Sequence, residues 1–145
     1  MTLYFAYGSN MSRAAMRARC PGARALGTAT LRGWRFFISG DGYASIARAG
    51  GQAVEGVLWR LTPRDLAALD AYEDVAGGLY RRARIAVQPA AGAPRLALVY
   101  LGRARGEGTP RPGYMRDVIA AARDWGLSAA ALRSLQRFVP AGVAA

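Results

Sequence analysis

Histidine and lysine are both absent from this chain, and cysteine occurs once, as Cys20. The missing histidine excludes Ser-His-Asp and Cys-His nucleophile systems, and with them His-ligated metals. A lone cysteine excludes an intrachain disulfide. Acidic residues are scarce, 9 against 20 basic ones, and the formal net charge is +11. No apolar run approaches the roughly 18–20 residues of a membrane-spanning helix. The N-terminus lacks the basic and apolar regions of a signal peptide. These absences lead us to expect a cytoplasmic protein.

What is present describes a globular chain. Its 145 residues suit one domain over 1–145, and at 52% hydrophobic it has enough apolar side chain for a core without staples. Every basic residue is arginine, spread from Arg13 to Arg137, with one tight group at Arg81, Arg82 and Arg84. Such a spread fits compositional bias better than a nucleic-acid footprint, which concentrates its charge.

Leu3 to Tyr7 reads as a short buried strand, apolar and ended by Gly8. Ser9, Asn10 and Ser12 can each cap a helix. Met11, Ala14, Ala15 and Ala18 then share one helical face, with Arg13, Arg17 and Arg19 mostly elsewhere, before Cys20-Pro21-Gly22 stops the helix. Strand-like segments follow at Ala25–Leu31, Trp34–Ser39, Tyr43–Ala47 and Val54–Leu61, separated by glycine turns. Thr62-Pro63-Arg64-Asp65 opens a helix with a cap, a first-position proline and an acid three residues on. Tyr80–Gln88 and Leu96–Leu101 read as a strand pair. A Gly/Pro/Arg loop over Gly102–Gly113 leads to helices near Tyr114–Trp125 and from Ser128 to about Phe138. The order fits α+β better than alternating βαβ units.

Few residues can do chemistry. Ser9 follows a glycine at a strand end, but a serine nucleophile needs a base, and neither histidine nor lysine exists to serve. Cys20 lies at a helix end, where the dipole does not favour a thiolate, so it reads as a small hydrophobe. The loop Tyr7-Gly8-Ser9-Asn10 reads in two ways. It is an ordinary strand-to-helix turn, or an anion or oxyanion site of free backbone N–H groups at a helix N-terminus. Asp70, Glu73 and Asp74 put three of the 9 carboxylates within five residues. Glu73 ends the Thr62 helix, where a carboxylate gains nothing from the dipole. It serves either as a general base or as an ion-pair partner for Arg64, Arg81 or Arg82. Tyr80, Tyr114 and Trp125 are core aromatics or pocket walls.

Two of these elements together carry a resemblance. Tyr4-Phe5-Ala6-Tyr7-Gly8-Ser9-Asn10-Met11 resembles the opening signature of the γ-glutamylcyclotransferase-like (AIG2-like) family. Val54-Glu55-Gly56-Val57-Leu58-Trp59 resembles its strand before the catalytic helix. Leu69-Asp70-Ala71-Tyr72-Glu73, followed by Gly78-Leu79-Tyr80, resembles the segment bearing its catalytic glutamate. The likeness covers about residues 3 to 138. It implies a mixed β-sheet or barrel flanked by helices, and an enzyme that releases a γ-glutamyl group as 5-oxoproline with no metal or organic cofactor. It makes Glu73 the general acid/base. Tyr7, Gly8, Ser9 and Asn10 become the loop that holds the γ-glutamyl moiety, and Tyr80 and Tyr114 become pocket aromatics. Asp74 departs from the pattern, since a small residue, often glycine, is expected there. A like charge at that position would raise the proton affinity of Glu73.

The expected partner is a small γ-glutamyl amino acid or amine, with no membrane involved. Two rivals remain: a non-catalytic ligand- or protein-binding module on the same fold, and an arginine-rich RNA-binding domain. The second lacks an aromatic stacking motif and a basic stripe. The Gly106–Pro112 segment reads as a lid or as a solvated connection.

Overall fold

The computed structural model describes residues 1–103 and 106–142. Its elements, in chain order, are β1 (Thr2–Ala6), a 3-10 turn (Ser9–Met11), α1 (Arg13–Arg19), β2 (Arg24–Ile38), β3 (Ala44–Leu61), α2 (Pro63–Tyr72), β4 (Tyr80–Pro89), β5 (Arg95–Gly102), α3 (Tyr114–Asp124) and α4 (Ala129–Gln136). The strands close into a barrel in the order β1-β3-β2-β4-β5. All neighbours are antiparallel except β1 and β5, which meet in parallel at Tyr4 and Leu98. This is the α+β class expected.

Two expectations needed correction. The four segments between Ala25 and Leu61 are two long strands, not four short ones. Gly33 sits at a register shift between β2 and β3 rather than in a turn, because a bulge absorbs one extra residue without ending the pairing. The apolar face assigned to α1 is also wrong. Ala14 and Ala18 are exposed, while Met16 and Cys20 are buried and Arg19 is half-buried. A three-residue 3-10 turn precedes α1, which rotates the helix relative to a continuous count from Met11.

The core runs from Tyr4 and Phe5 on β1 through Val57 and Leu61 on β3 to Val118 and Ile119 on α3. Thr62 and Asp65 form the expected capping box on α2. Asp65 is 2% exposed, so its carboxylate needs partners. Its Oδ2 accepts from Thr62 N at 3.0 Å and from Thr62 Oγ1 at 2.8 Å, and its Oδ1 accepts from Gly22 N at 3.2 Å. That pins the α1–β2 turn to the start of α2 and fixes the helix whose far end carries Glu73. Cys20 is buried, its Sγ–H directed at Asp65 O at 3.6 Å. Burial pushes its thiol up to about 11, as suits an inert packing residue. No helix among the described residues is long and apolar enough to cross a membrane.

Candidate active site

The chain leaves β1 at Ala6 and enters the 3-10 turn through Tyr7 and Gly8. Met11 N–H donates to Gly8 O and Ser12 N–H to Ser9 O, both at 3.1 Å. The leading amides of such a turn, on Ser9 and Asn10, have no partner within it. Of the three caps expected, Ser9, Asn10 and Ser12, it is Ser12 that opens the α-helix. The α-helix begins at Arg13, capped by Ser12 Oγ accepting from Ala15 N at 3.1 Å. Any oxygen held at the loop is therefore held by individual amides rather than by a helix dipole.

Glu73 is the C-cap of α2, its N–H donating to Leu69 O at 2.8 Å. The carboxylate turns inward, and its Oε1 accepts from Asn10 Nδ2 at 3.3 Å. Burial pushes its proton affinity up from 4.5 to about 7, and Arg19 pulls it the other way. The ion-pair alternative does not hold among the described residues: Arg82 pairs with Asp70, not Glu73. Asp70 also accepts from Tyr100 Oη at 2.7 Å, and with Arg82 beside it stays below its usual range. Asp74 does not contribute to the Glu73 shift. It is exposed, and its Oδ1 accepts from Gly77 N at 3.1 Å. Its backbone is left-handed at φ 49°, a conformation that glycine takes freely and aspartate tolerates.

Asn10 organises this corner. It is 3% exposed, and its Nδ2 donates to Tyr4 Oη at 3.0 Å as well as to Glu73. Its Oδ1 accepts from Arg19, whose guanidinium lies 3.8 Å over the ring of Tyr72. Tyr7, Gly8, Ser9, Asn10, Glu73, Tyr80 and Tyr114, all singled out in the sequence, line one cavity of about 180 Å³. Glu73 is the one carboxylate among its described lining residues. Trp125 is not part of it. That side chain packs edge-on against Trp59 at 6.0 Å, and its Nε1 donates to Met11 O at 2.7 Å. The described residues of the Gly106–Pro112 segment do not line the cavity either. They are bonded to the end of β2 at Ile38 and to the β2–β3 connection at Gly40 and Gly42, while Ala104 and Arg105 of the longer loop lie outside the described residues.

With this geometry in place, comparison with known proteins is decisive. Residues 4–126 match the family described as "Gamma-glutamyl cyclotransferase, AIG2-like". The chain belongs to that family. Mouse gamma-glutamylcyclotransferase is 29% identical over 135 residues, which cover 86% of this chain and 72% of that protein. The human gamma-glutamylcyclotransferase is 28% identical over the same shares. A solved structure described as gamma-glutamyl cyclotransferase superposes with a TM-score of 0.89 at 25% identity, covering 99% of this chain and 91% of that one.

Within this cyclotransferase-family site, sequence reasoning missed Arg19, Tyr43, Tyr72 and Tyr100. Tyr72 and Tyr100 carried no pattern separating them from core aromatics. Arg19 was misplaced by the helical count through Met11, because the 3-10 turn at Ser9–Met11 shifts the phase of α1.

Proposed function

We propose that the chain is a cyclotransferase that releases 5-oxoproline from a γ-glutamyl amino acid or amine, with Glu73 as general acid/base. One observation carries the reading. A half-buried carboxylate with proton affinity near neutrality, Glu73, lines the same small cavity as the Tyr7-Gly8-Ser9-Asn10 turn and is its one carboxylate among the described lining residues. A base is most effective when its pKa lies near the working pH. At about 180 Å³ the cavity is below the roughly 300–1,000 Å³ of drug-sized sites, and suits a glutamyl group. One hydrophobic core reaching from Tyr4 to Leu135 supports a single domain carrying the activity.

In this mechanism the substrate brings its own nucleophile. Glu73 takes a proton from the α-ammonium, the amine attacks the γ-carbonyl carbon, and the five-membered ring closes. That first proton passes to solvent; Glu73 then takes the second proton from the attacking nitrogen, now in the ring, and delivers it to the leaving nitrogen as the old C–N bond breaks. Ring closure is intramolecular, so the enzyme chiefly holds the folded conformer. That explains how a chain without histidine, lysine or an activated serine is adequate. Tyr7, Gly8, Ser9 and Asn10 hold the γ-glutamyl group, with Tyr80 and Tyr114 as walls. The test is 5-oxoproline release from γ-glutamyl amino acids, γ-glutamyl amines and glutathione. Release from at least one is expected, and none from any would remove the reading.

The pH dependence follows from Glu73. It acts ionised, so kcat/KM should rise with pH on the acid side with a midpoint near 7. The stability effect has the opposite sign. The folded state binds this proton more tightly than the unfolded chain, so the contribution is present below about 4.5 and lost as pH rises through about 7. Melting temperatures across that window should fall in the wild type and lose that component in Glu73→Gln. An acid limb centred near the ordinary 4.5 would show that the titrating base is not raised by burial.

Gly8→Ala tests the loop. A Cβ there would lie 3.0 Å from Tyr114 Oη and 3.3 Å from Ala44 Cβ. Something must give by a few tenths of an ångström beside the substrate. The expected result is a loss of roughly tenfold in kcat/KM, about 1.4 kcal/mol, with the fold retained. Unchanged kinetics would remove the loop from the site.

A further inference from the structure

Hydrogen bonding separates the tyrosines around the cavity by what their protons do. Tyr7 Oη donates to Tyr100 O at 2.5 Å, Tyr80 Oη to Ala44 O at 2.5 Å, and Tyr100 Oη to Asp70 Oδ1 at 2.7 Å. Each spends its single proton on the protein. Tyr114 works in reverse. Its Oη accepts from Ala44 N at 3.1 Å, and the Ser9 amide also favours its charged form. Among the described residues no acceptor is present for its own proton. Tyr4 Oη also accepts, but it shares Asn10 Nδ2 with Glu73 and belongs with the base.

A phenol that accepts from backbone amides has its remaining hydrogen-bonding capacity in its O–H. Accepted bonds also polarise that O–H and strengthen it as a donor. Position adds to this. A Cβ on Gly8 would come within 3.0 Å of Tyr114 Oη, so the hydroxyl sits directly against the glycine turn. The ring is braced edge-on by Tyr43 at 5.7 Å, and its backbone is the first residue of α3.

We infer that Tyr114 is a catalytic residue whose phenolic O–H donates a hydrogen bond to the γ-carbonyl oxygen of the substrate, beside the Asn10 amide. This rests on the cyclotransferase reading of the same site. As the α-amine nitrogen bonds to the γ-carbon, the C=O π pair moves onto oxygen, and the Tyr114 bond strengthens with the developing charge. The tyrosine keeps its proton throughout, since burial holds its pKa at about 12. Glu73 carries the proton from the attacking nitrogen to the leaving one. The oxygen pair returns, the old C–N bond breaks, and the products are 5-oxoproline and a free amine. An interaction that strengthens in the transition state raises kcat rather than lowering KM.

The experiment compares wild type, Tyr114→Phe and a protein with 3,5-difluorotyrosine at position 114, assayed on the same γ-glutamyl panel. Removal of one such donor is expected to lower kcat by roughly 10²–10³-fold, with KM changed only a few-fold. Tyr114→Phe also leaves two amides without this acceptor, so its folded fraction is measured by melting and the rate is normalised to it. The difluorinated protein keeps the hydroxyl but has a more acidic phenol. As a donor it should stay active near neutrality and lose kcat at a lower alkaline pH than wild type. A purely structural hydroxyl would leave the pH profile unmoved. If wild type releases 5-oxoproline and Tyr114→Phe retains kcat within about threefold, this inference fails and the cyclotransferase reading stands. If wild type releases none from any panel member, both fall together.

Discussion

Glu73→Gln should lower 5-oxoproline release by roughly 10²–10⁴-fold, the range a positioned general base contributes, while leaving the fold intact. The substitution keeps shape. A glutamine carbonyl at this position can still accept from Asn10 Nδ2, which now lies 3.3 Å from Glu73 Oε1. It also removes a charge that burial disfavours, so above about pH 7 the variant should melt no lower than the wild type. Loss of rate without loss of stability separates chemistry from folding. Among the described residues no neighbouring carboxylate is placed to substitute. Asp70 is held by Arg82 and Tyr100, and Asp74 is exposed and bonded to Gly77 N. A variant that keeps kcat within about threefold would place the base elsewhere and sever the cavity from catalysis.

Gly56→Ala should destabilise the protein severely, although it adds one methyl group in mid-strand. Gly56 lies on β3 opposite Ala29 of β2, next to Val57, which pairs with Ala6 of β1. A Cβ would fall 2.3 Å from Ala6 O and 2.8 Å from Phe5 Cζ. The oxygen is backbone, and Phe5 is fully buried, so neither has an easy retreat. Overpacking of this kind costs roughly 1–3 kcal/mol or more, which at this chain length lowers Tm by roughly 3–12 °C. Ala6 also immediately precedes Tyr7 and Gly8, so a shifted β1 carries the glycine turn of the cavity with it. Activity per folded molecule should fall as well. Gly50→Ala is the control, since nothing lies within 4 Å of a Cβ there. A Gly56→Ala protein that melts with the Gly50→Ala control would refute the close packing of β1 on β3.

Both results bear on how much could be read from the residues. Glu73 was legible because carboxylates are so few here and one stands at a helix end, where the dipole gives no reason for it. The glycine turn was legible because an apolar strand runs straight into it. The capping box on α2 followed from Thr62, Pro63 and Asp65 alone. Arg19 was not legible, because its placement depends on a 3-10 turn that shifts the phase of α1. Nor was the continuity of β2 and β3, since a glycine that ends a strand and one that sits at a bulge look alike in sequence.

By itself, then, the sequence determined the local signals: which stretches are extended and which helical, where the α2 cap falls, and which few side chains can move a proton. Those depend on neighbours within a few residues. Tertiary structure alone decided what the signals do together. Barrel closure joins the N-terminal loop to the end of α2, 63 residues away from Asn10 at Glu73. Burial at that junction, which no local pattern encodes, lifts Glu73 to about 7. The direction of each tyrosine proton is likewise a tertiary property. It is set by whether the packed barrel offers the hydroxyl a carbonyl, as at Tyr80, or an amide, as at Tyr114.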